Sequence, residues 1–419
     1  MSSSLVAALP GIADPHALRR QLARVERRRK WRAFSLTLPL LLFLLLTFLV
    51  PIAALLERAV ENPEVVTALP RTVVVLRDWN RDGIPQAEAF AALTADLSAL
   101  PDSSDAGALA RRLNSEVPGA RSLVMSTFRA LPLPAATTPA TVKAQLLALD
   151  PRWGDTKYWR AIAKNGSRWT PDYLLTAVDL RRGVHGGIER VAPDQRVFGR
   201  ILARTFEVSA IVTLWALLLG YPLAYWLSTL PARRANVLMI LVLVPFWTSI
   251  LVRVAAWIVL LQSEGLVNHA LIGLHVIQQP LALLFNRTGV VIAMVHILLP
   301  FMILPLYSVM KSVPPTYLRA AVSLGSSPLT AFVRVYVPQT YPGIGAGALL
   351  VFILSIGYYV TPALLGGADD QMLSYYVAQY INVTVNWGMA CALGSLLLAA
   401  TLVLYALYRR ITRSELSLG

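Results

Sequence analysis

Six stretches of more than twenty residues carry almost no charge, and they alternate with segments where arginine and lysine gather. They are Ala33–Leu56, Val208–Leu230, Ala235–Leu261, Thr288–Met310, Ile344–Leu365 and Gly388–Tyr408; Arg253 alone interrupts the third. A helix needs about 20 apolar residues to cross bilayer hydrocarbon. There every backbone N–H and C=O must be bonded internally, which leaves helices as the form such stretches take. Composition agrees: 56% of the 419 residues are hydrophobic and 15% are charged, against roughly a quarter charged in a soluble domain. The reading is an all-α integral membrane protein with six transmembrane helices.

The formal net charge of +15 raises nucleic acid as a partner. The positions of the charges argue against it, because they flank apolar segments or sit in one long polar insert, with no basic stripe interleaved with aromatics. They set topology instead. The first 32 residues hold Arg19, Arg20, Arg24, Arg27, Arg28, Arg29, Lys30 and Arg32, and the run that follows is too long for a signal-peptide core. Arg233 and Arg234, then Lys311, Arg319 and Arg334, then Arg409, Arg410 and Arg413 all fall on the same side. The opposite short loops hold one basic residue, Arg287, with Glu264, Asp369 and Asp370. Basic loops stay inside, so both ends are expected in the cytoplasm.

This divides the chain into a basic cytoplasmic segment 1–32, a first span 33–56, an external insert 57–199, a five-helix core 200–410 and a tail 411–419. Long loops translocate largely regardless of charge, so the arginines of the insert do not oppose an external position. Helix-compatible stretches at Gln86–Leu100, Ala106–Leu113 and Ala140–Leu149 point to a small helical domain. Asp78-Trp-Asn80-Arg-Asp82-Gly83 begins like a calcium loop, but its twelfth position is Ala89 where a bidentate carboxylate is needed; an Asp-Gly turn leading into a helix is the better reading. Cys391 is the single cysteine, so no internal disulfide forms. No phosphate loop, His-Glu-x-x-His or Gly-x-Ser-x-Gly occurs, and no cofactor or metal is expected.

The most informative segment joins the fourth and fifth spans: Tyr317-Leu-Arg319-Ala320-Ala321-Val-Ser-Leu324-Gly325-Ser-Ser-Pro328, continuing through Phe332-Val-Arg334-Val-Tyr336-Val-Pro338. Read physically, it is a short helix with a small-residue face, a left-handed cap at Gly325, a second helix entered at Pro328 and an end at Pro338. Either an interfacial helix pair or a docking element fits. The segment resembles the coupling loop of ABC importer permeases, with Ala320, Ala321, Gly325 and Pro338 on the family pattern and Arg319 where a glutamate is common. Pro245-Phe-Trp247 through Arg253, Ala256-Trp257, Gly265-Leu-Val-Asn268, Pro300 to Tyr307, Gly357-Tyr358-Tyr359-Val-Thr361-Pro362, Leu365-Gly366-Gly367 and Asn386-Trp387-Gly388 are similar to spermidine/putrescine permeases. The likeness covers roughly 200–410.

It implies the type I ABC importer fold with a large helical periplasmic insert between helices 1 and 2, in a bacterial inner membrane. It also implies two copies of a cytoplasmic ABC ATPase docked on 317–338, a second homologous permease and a periplasmic substrate-binding protein. Arg319, Ala320, Ala321, Leu324, Gly325, Pro328 and Pro338 are the expected ATPase-coupling residues. The chain itself is then not an enzyme. The implied cargo is a polyamine such as putrescine or spermidine; an opine, an amino-acid derivative or an aminophosphonate fits the same architecture. An ATP-independent transporter or channel would show inverted repeats or acids at the bilayer midplane, and neither is found.

Ionisable and aromatic groups in the spans are candidates for the substrate path. Counted at 1.5 Å per residue, Arg253 lies about 27 Å into the third span, near the outer interface. There it suits docking of the binding protein, as do Asp369 and Asp370 on the outer loop. His296, about 12 Å in from the outer end, reads as a packed core histidine bonded to a carbonyl. Glu207 at the outer start of the second span is placed to draw in a cation. Trp247, Tyr358 and Tyr359 offer aromatic faces to one.

Overall fold

The computed structural model describes residues 15–133, 138–183 and 187–416. It divides into two compact units, one ending at Glu57 and one starting at Arg58. The first unit is helical: α1 (Pro15–Leu44) passes through a wide π-turn, Leu45–Leu49, into α2 (Val50–Arg58). The π-turn has an identifiable cause. Pro51 has no N–H for the carbonyl of Thr47, and its ring would strike that carbonyl in a regular α-helix. Residues Arg29–Arg58 are long and apolar enough to cross a membrane.

The second unit opens with the insert, which is a folded helical domain. Its helices are α3 (Pro63–Ala68), α4 (Pro70–Val75), α5 (Ala87–Ser98), α6 (Ser103–Glu116), α7 (Ala120–Arg129), α8 (Pro139–Leu149), α9 (Thr156–Lys164) and α10 (Asp172–Ala177). A hairpin, β1 (Leu180–Arg182) antiparallel to β2 (Ile188–Arg190), completes it. Local chemistry explains several starts. Asp102 caps α6 by accepting from the Ser104 and Asp105 amides, and Thr138 and Thr141 form a reciprocal box at α8. In the calcium-like stretch, Asn80 Oδ1 accepts from the Asp82 amide at 3.1 Å, an Asx turn ahead of α5.

The insert has its own core. Leu69, Phe90, Leu93, Leu97, Leu109, Leu123, Leu146, Trp153, Trp159 and Ile162 are fully buried in one cluster. Trp159 packs 4.6 Å from Phe90 and 5.4 Å from Trp153, ring centre to ring centre. Both indoles are satisfied, Trp153 Nε1 donating to Thr127 Oγ1 and Trp159 Nε1 to the Trp153 carbonyl. The two ends of the domain meet: the Asn62 amide donates to the Arg168 carbonyl and the Thr170 amide to that of Val60. Behind this seam Arg112 donates to Asn62, Asn165 and Glu116, a buried polar knot with partners on all sides. Arg58, then Arg168, holds the Glu61 carboxyl below the ordinary glutamate range.

From the insert the chain enters α11 (Phe198–Thr229). After it come α12 (Ala232–Leu243), α13 (Ile250–Leu261), α14 (Leu266–Gly273) and α15 (Arg287–Ser312). Next are α16 (Pro315–Ser323), α17 (Pro328–Ala331), a π-turn at Phe332–Tyr336, α18 (Val337–Gln339), α19 (Tyr341–Gly357), α20 (Val360–Leu365), α21 (Leu373–Asn382) and α22 (Trp387–Leu416). Among the described residues five helical segments are long and apolar enough to span: 29–58, 198–229, 250–273, 287–312 and 387–410. A sixth arises if Pro328–Gln339 and Tyr341–Gly357, bent by 62°, count as one. The second π-turn repeats the cause of the first, since it immediately precedes Pro338.

Two spans differ from the sequence expectation. The third was expected to run unbroken from Ala235 to Leu261, but Pro245 interrupts it and a 3₁₀ turn, Val244–Trp247, separates α12 from α13. Pro245 removes a helical N–H and displaces the carbonyl four residues back. The spanning segment is therefore shifted to Ile250–Gly273. The fifth stops at Gly357, and Tyr358 and Tyr359 form an irregular link to α20.

Packing in the bundle centres on α15, which contacts both α11 and α19. Met302 sits between them, and a methyl group built at Gly220 or Gly347 would meet it at 3.1 or 2.8 Å. Small residues of this kind let membrane helices approach closely. The insert rests on the bundle through α10: the Tyr173 ring occupies the space where Gly388, at the start of α22, lacks a side chain. Ala177, Ile201, Leu373, Met389 and Leu393 close around that contact, and burial pushes the Tyr173 phenol up to about 12.

Candidate functional site

The segment after α15 is built as a rigid exposed hairpin of helices. Leu324 and Gly325 end α16, and Gly325 adopts φ +94°, a left-handed conformation that glycine tolerates best. The Ser326 amide donates to the Ala321 carbonyl and the Gly325 amide to that of Val322. Together these two bonds are the Schellman closure of a helix C-terminus. Ser327 Oγ then accepts from the Thr330 amide at 3.2 Å to start α17, with Pro328 in the first helical position. Arg319, Ala320 and Pro328 are exposed, and Ala321 is half-buried. Leu324 is 88% and Leu329 74% exposed, so the hairpin presents two large apolar side chains to its surroundings. Pro338 does not end the second helix as expected; the helix runs to Gln339, and the break falls at Thr340.

The hairpin is anchored by aromatic rings. Phe332 and Tyr336 stack at 5.4 Å, and Tyr225 of α11 meets them edge-on at 5.0 and 5.2 Å. The Thr340 hydroxyl donates to the Val337 carbonyl, so the Tyr221 hydroxyl, 3.1 Å away, donates to Thr340. Lys311 Nζ donates to the Ser228 and Leu230 carbonyls at the end of α11, a favourable place for a cation. These contacts join the turn after α17 to α11, and the end of α15 to the end of α11. None of these anchoring rings was a sequence candidate, although the spacing of Tyr221 and Tyr225, four residues apart on one helix face, carries the signal.

At the other end of the bundle the acidic candidates are already partnered. Glu207 Oε1 accepts from Arg287 Nη1 at 2.7 Å, and Arg287 Nε reaches Asp370 Oδ1 at 3.4 Å. Asp370 also accepts from the Gly367 amide, and the Asp369 carbonyl accepts from Arg204. Glu207 is therefore no free cation trap, although its side chain stays exposed; Asp370 is turned inward, and Asp369 is exposed. Arg287, noted from sequence as a charge at a span's edge, ties α11, α15 and the loop after α20 together. Because the Asp370 side chain is 13% exposed and that of Glu207 53%, Arg287→Ala is expected to destabilise the protein more than Glu207→Ala. Thermal unfolding of the two purified variants checks the order, since an exposed pair contributes at most about 1 kcal/mol while an unpaired buried acid costs more.

The aromatic candidates are dispersed. Trp247, 72% exposed, lies in the 3₁₀ turn between α12 and α13. Tyr358 is half-buried, Tyr359 exposed, and the Tyr358 carbonyl accepts from Ser374 Oγ at 2.6 Å. His296 does not bond a carbonyl; its Nδ1 accepts from Trp257 Nε1 at 3.2 Å. Arg253 lies one turn before Trp257, so it sits about 6 Å further from the insert end than the Trp257–His296 pair. The interfacial depth expected for it came from counting along one straight helix, which Pro245 breaks. Its Nε is buried without a hydrogen-bond partner in the described structure.

Helices of membrane-spanning length packed in one bundle define an integral membrane protein, with an exposed capped hairpin between two of its spans. Residues 216–415 match the family model described as binding-protein-dependent transport system inner membrane component. Over 218 residues the chain is 34% identical to the spermidine/putrescine transport system permease protein PotB of Salmonella typhimurium (strain SL1344), covering 52% of this chain and 76% of the relative. It is 35% identical to PotB of Escherichia coli (strain K12) over the same length, covering 79% of that relative. It is 25% identical over 233 residues to the putative 2-aminoethylphosphonate transport system permease protein PhnU of Salmonella paratyphi A, 54% of this chain and 81% of the relative. The chain belongs to the family of ABC importer permeases, multi-pass components of the inner membrane. The insert, residues 57–199, precedes the residues that match the family model.

Proposed function

We propose that this permease passes polyamines such as putrescine and spermidine inward, with the insert in the periplasm and both chain ends in the cytoplasm. The observation that carries the cargo assignment is the identity of 34–35% to spermidine/putrescine permeases across three quarters or more of their length. The 2-aminoethylphosphonate permease is more distant, at 25%. The hairpin 317–338 docks a cytoplasmic ATPase, with Leu324 and Leu329 entering its surface and Arg319, Ala320, Ala321, Gly325, Pro328 and Pro338 holding their geometry. A second permease completes the pore, and two ATPase copies, one per permease, close on ATP. The aromatic anchors Phe332 and Tyr336 pass that closure to α11.

The test is uptake of labelled putrescine and spermidine by cells with and without this gene, in a strain lacking other polyamine importers. Loss of uptake on deletion, restored by the wild-type gene, is the expected result. Unchanged uptake would overturn the polyamine assignment and move the search to 2-aminoethylphosphonate and other small amines.

A further inference from the structure

The insert and the loop ahead of α22 enclose a cleft of about 1120 Å³. Its charged groups divide into those already committed and those that are not. Arg58 is paired with Glu61 and Glu64, and Arg112 with Glu116. Asp96 accepts from the Arg71 and Thr72 amides at the start of α4 and from the Thr72 hydroxyl. What remains is Arg71, Arg111 and Arg121, whose guanidinium groups make no ion pair among the described residues, against the single uncommitted acid Asp105. The opposite lip carries Val383, 72% exposed, with Val385 and Trp387 exposed beside it. The cleft is open and rimmed by charge, unlike the enclosed pockets that hold small solutes. Three guanidinium groups beside exposed apolar residues are the composition of a protein-binding surface, since arginine and tryptophan are enriched there.

We infer that this cleft receives an acidic surface of the substrate-binding protein on which this family of permeases depends. The insert makes that placement firm, because its ends are sewn together at Asn62 and Arg168 and its last helix is seated on Gly388. A partner held in the cleft bears at once on the insert and on the loop that leads into α22. Complementary charge of this kind speeds encounter and makes the affinity depend on salt. The inference rests on the proposed periplasmic position of the insert and is independent of which solute is carried.

The experiment uses the complete transporter in lipid nanodiscs and the purified binding protein of the same system, with Kd measured at about 50 and 300 mM salt. Charge reversal in R71E/R111E/R121E is expected to weaken binding about tenfold or more and to flatten its salt dependence. The triple lysine variant, which keeps the charge, should retain most of the affinity, and R129E, outside the cleft on α7, should bind as wild type. Wild-type affinity in the triple reversal, or a Kd indifferent to salt, would overturn the proposal. Should the triple reversal fail to assemble, R111E alone and a photo-crosslinking residue at Val385 replace it. Crosslinking to the binding protein supports the cleft as its seat; crosslinking only to lipid, or to nothing, rejects it.

Discussion

Gly325→Pro in the assembled transporter is expected to abolish uptake and to release the ATPase, while the permease itself still inserts in the membrane. Proline fixes φ near −65°, whereas Gly325 requires +94°, and proline also removes the amide that bonds the Val322 carbonyl. The turn between α16 and α17 then cannot form, and Leu324 and Leu329 are no longer presented together. Gly325→Ala is the informative contrast. No atom lies within 4 Å of a methyl group built there, so the cost is the left-handed conformation alone, about 1–2 kcal/mol. Uptake should fall only partly. Co-purification of ATPase with each variant, alongside uptake, separates the two. An assembled, transporting Gly325→Pro variant would mean the hairpin is not the coupling element.

Trp159→Ala is expected to cost the insert about 3–5 kcal/mol, the usual penalty for emptying a large buried aromatic site. Trp159 is fully buried, packs on Phe90 and Trp153, and donates to the Trp153 carbonyl. Its loss leaves both a cavity and an unpaired carbonyl. A loss of that size is comparable to the whole stability of a small domain, so the insert should become sensitive to protease at a temperature where the wild type resists it. The helices packed around α15 and Met302 do not share this core, and that part of the bundle should stay resistant. Trp159→Phe keeps most of the ring volume and loses the indole donor, a milder change. Limited proteolysis with mass analysis of the fragments reads all three states, and equal resistance of Trp159→Ala and wild type would show that the insert does not depend on this core.

Much of this architecture is legible in the residue order because lipid is a severe solvent. A helix that must hide its backbone has to be long, apolar and uncharged, so 287–312 and 387–410 emerge close to their expected limits, whereas the helix expected from Val208 already starts at Phe198. The left-handed cap at Gly325 was also readable, since a small-residue helix followed by glycine and then proline permits few conformations. Two kinds of feature were not. Pro245 falls within an apolar run, and whether a proline kinks a span or divides it depends on what re-satisfies the freed carbonyls, which only the neighbours decide. Hence the displaced third span and the revised depth of Arg253.

Charge pairing was the other gap. Glu207, Arg287 and Asp370 are separated by 80 and 83 residues, and nothing in the local pattern of any of them announces the others. An acid that looks available for a cation is neutralised by an arginine four helices away. The insert makes the same point at larger scale. Its helices could be anticipated from their caps and apolar spacing. Its closure through Asn62, Arg112 and Asn165, its seat on Gly388, and the cleft between them come from contacts over 50 to more than 200 residues. The order of residues determined which segments are helical and which enter the membrane, because those depend on local backbone chemistry and solvent. Tertiary structure alone decided which charges remain free and which surface the insert offers, because those depend on which distant side chains arrive at the same place.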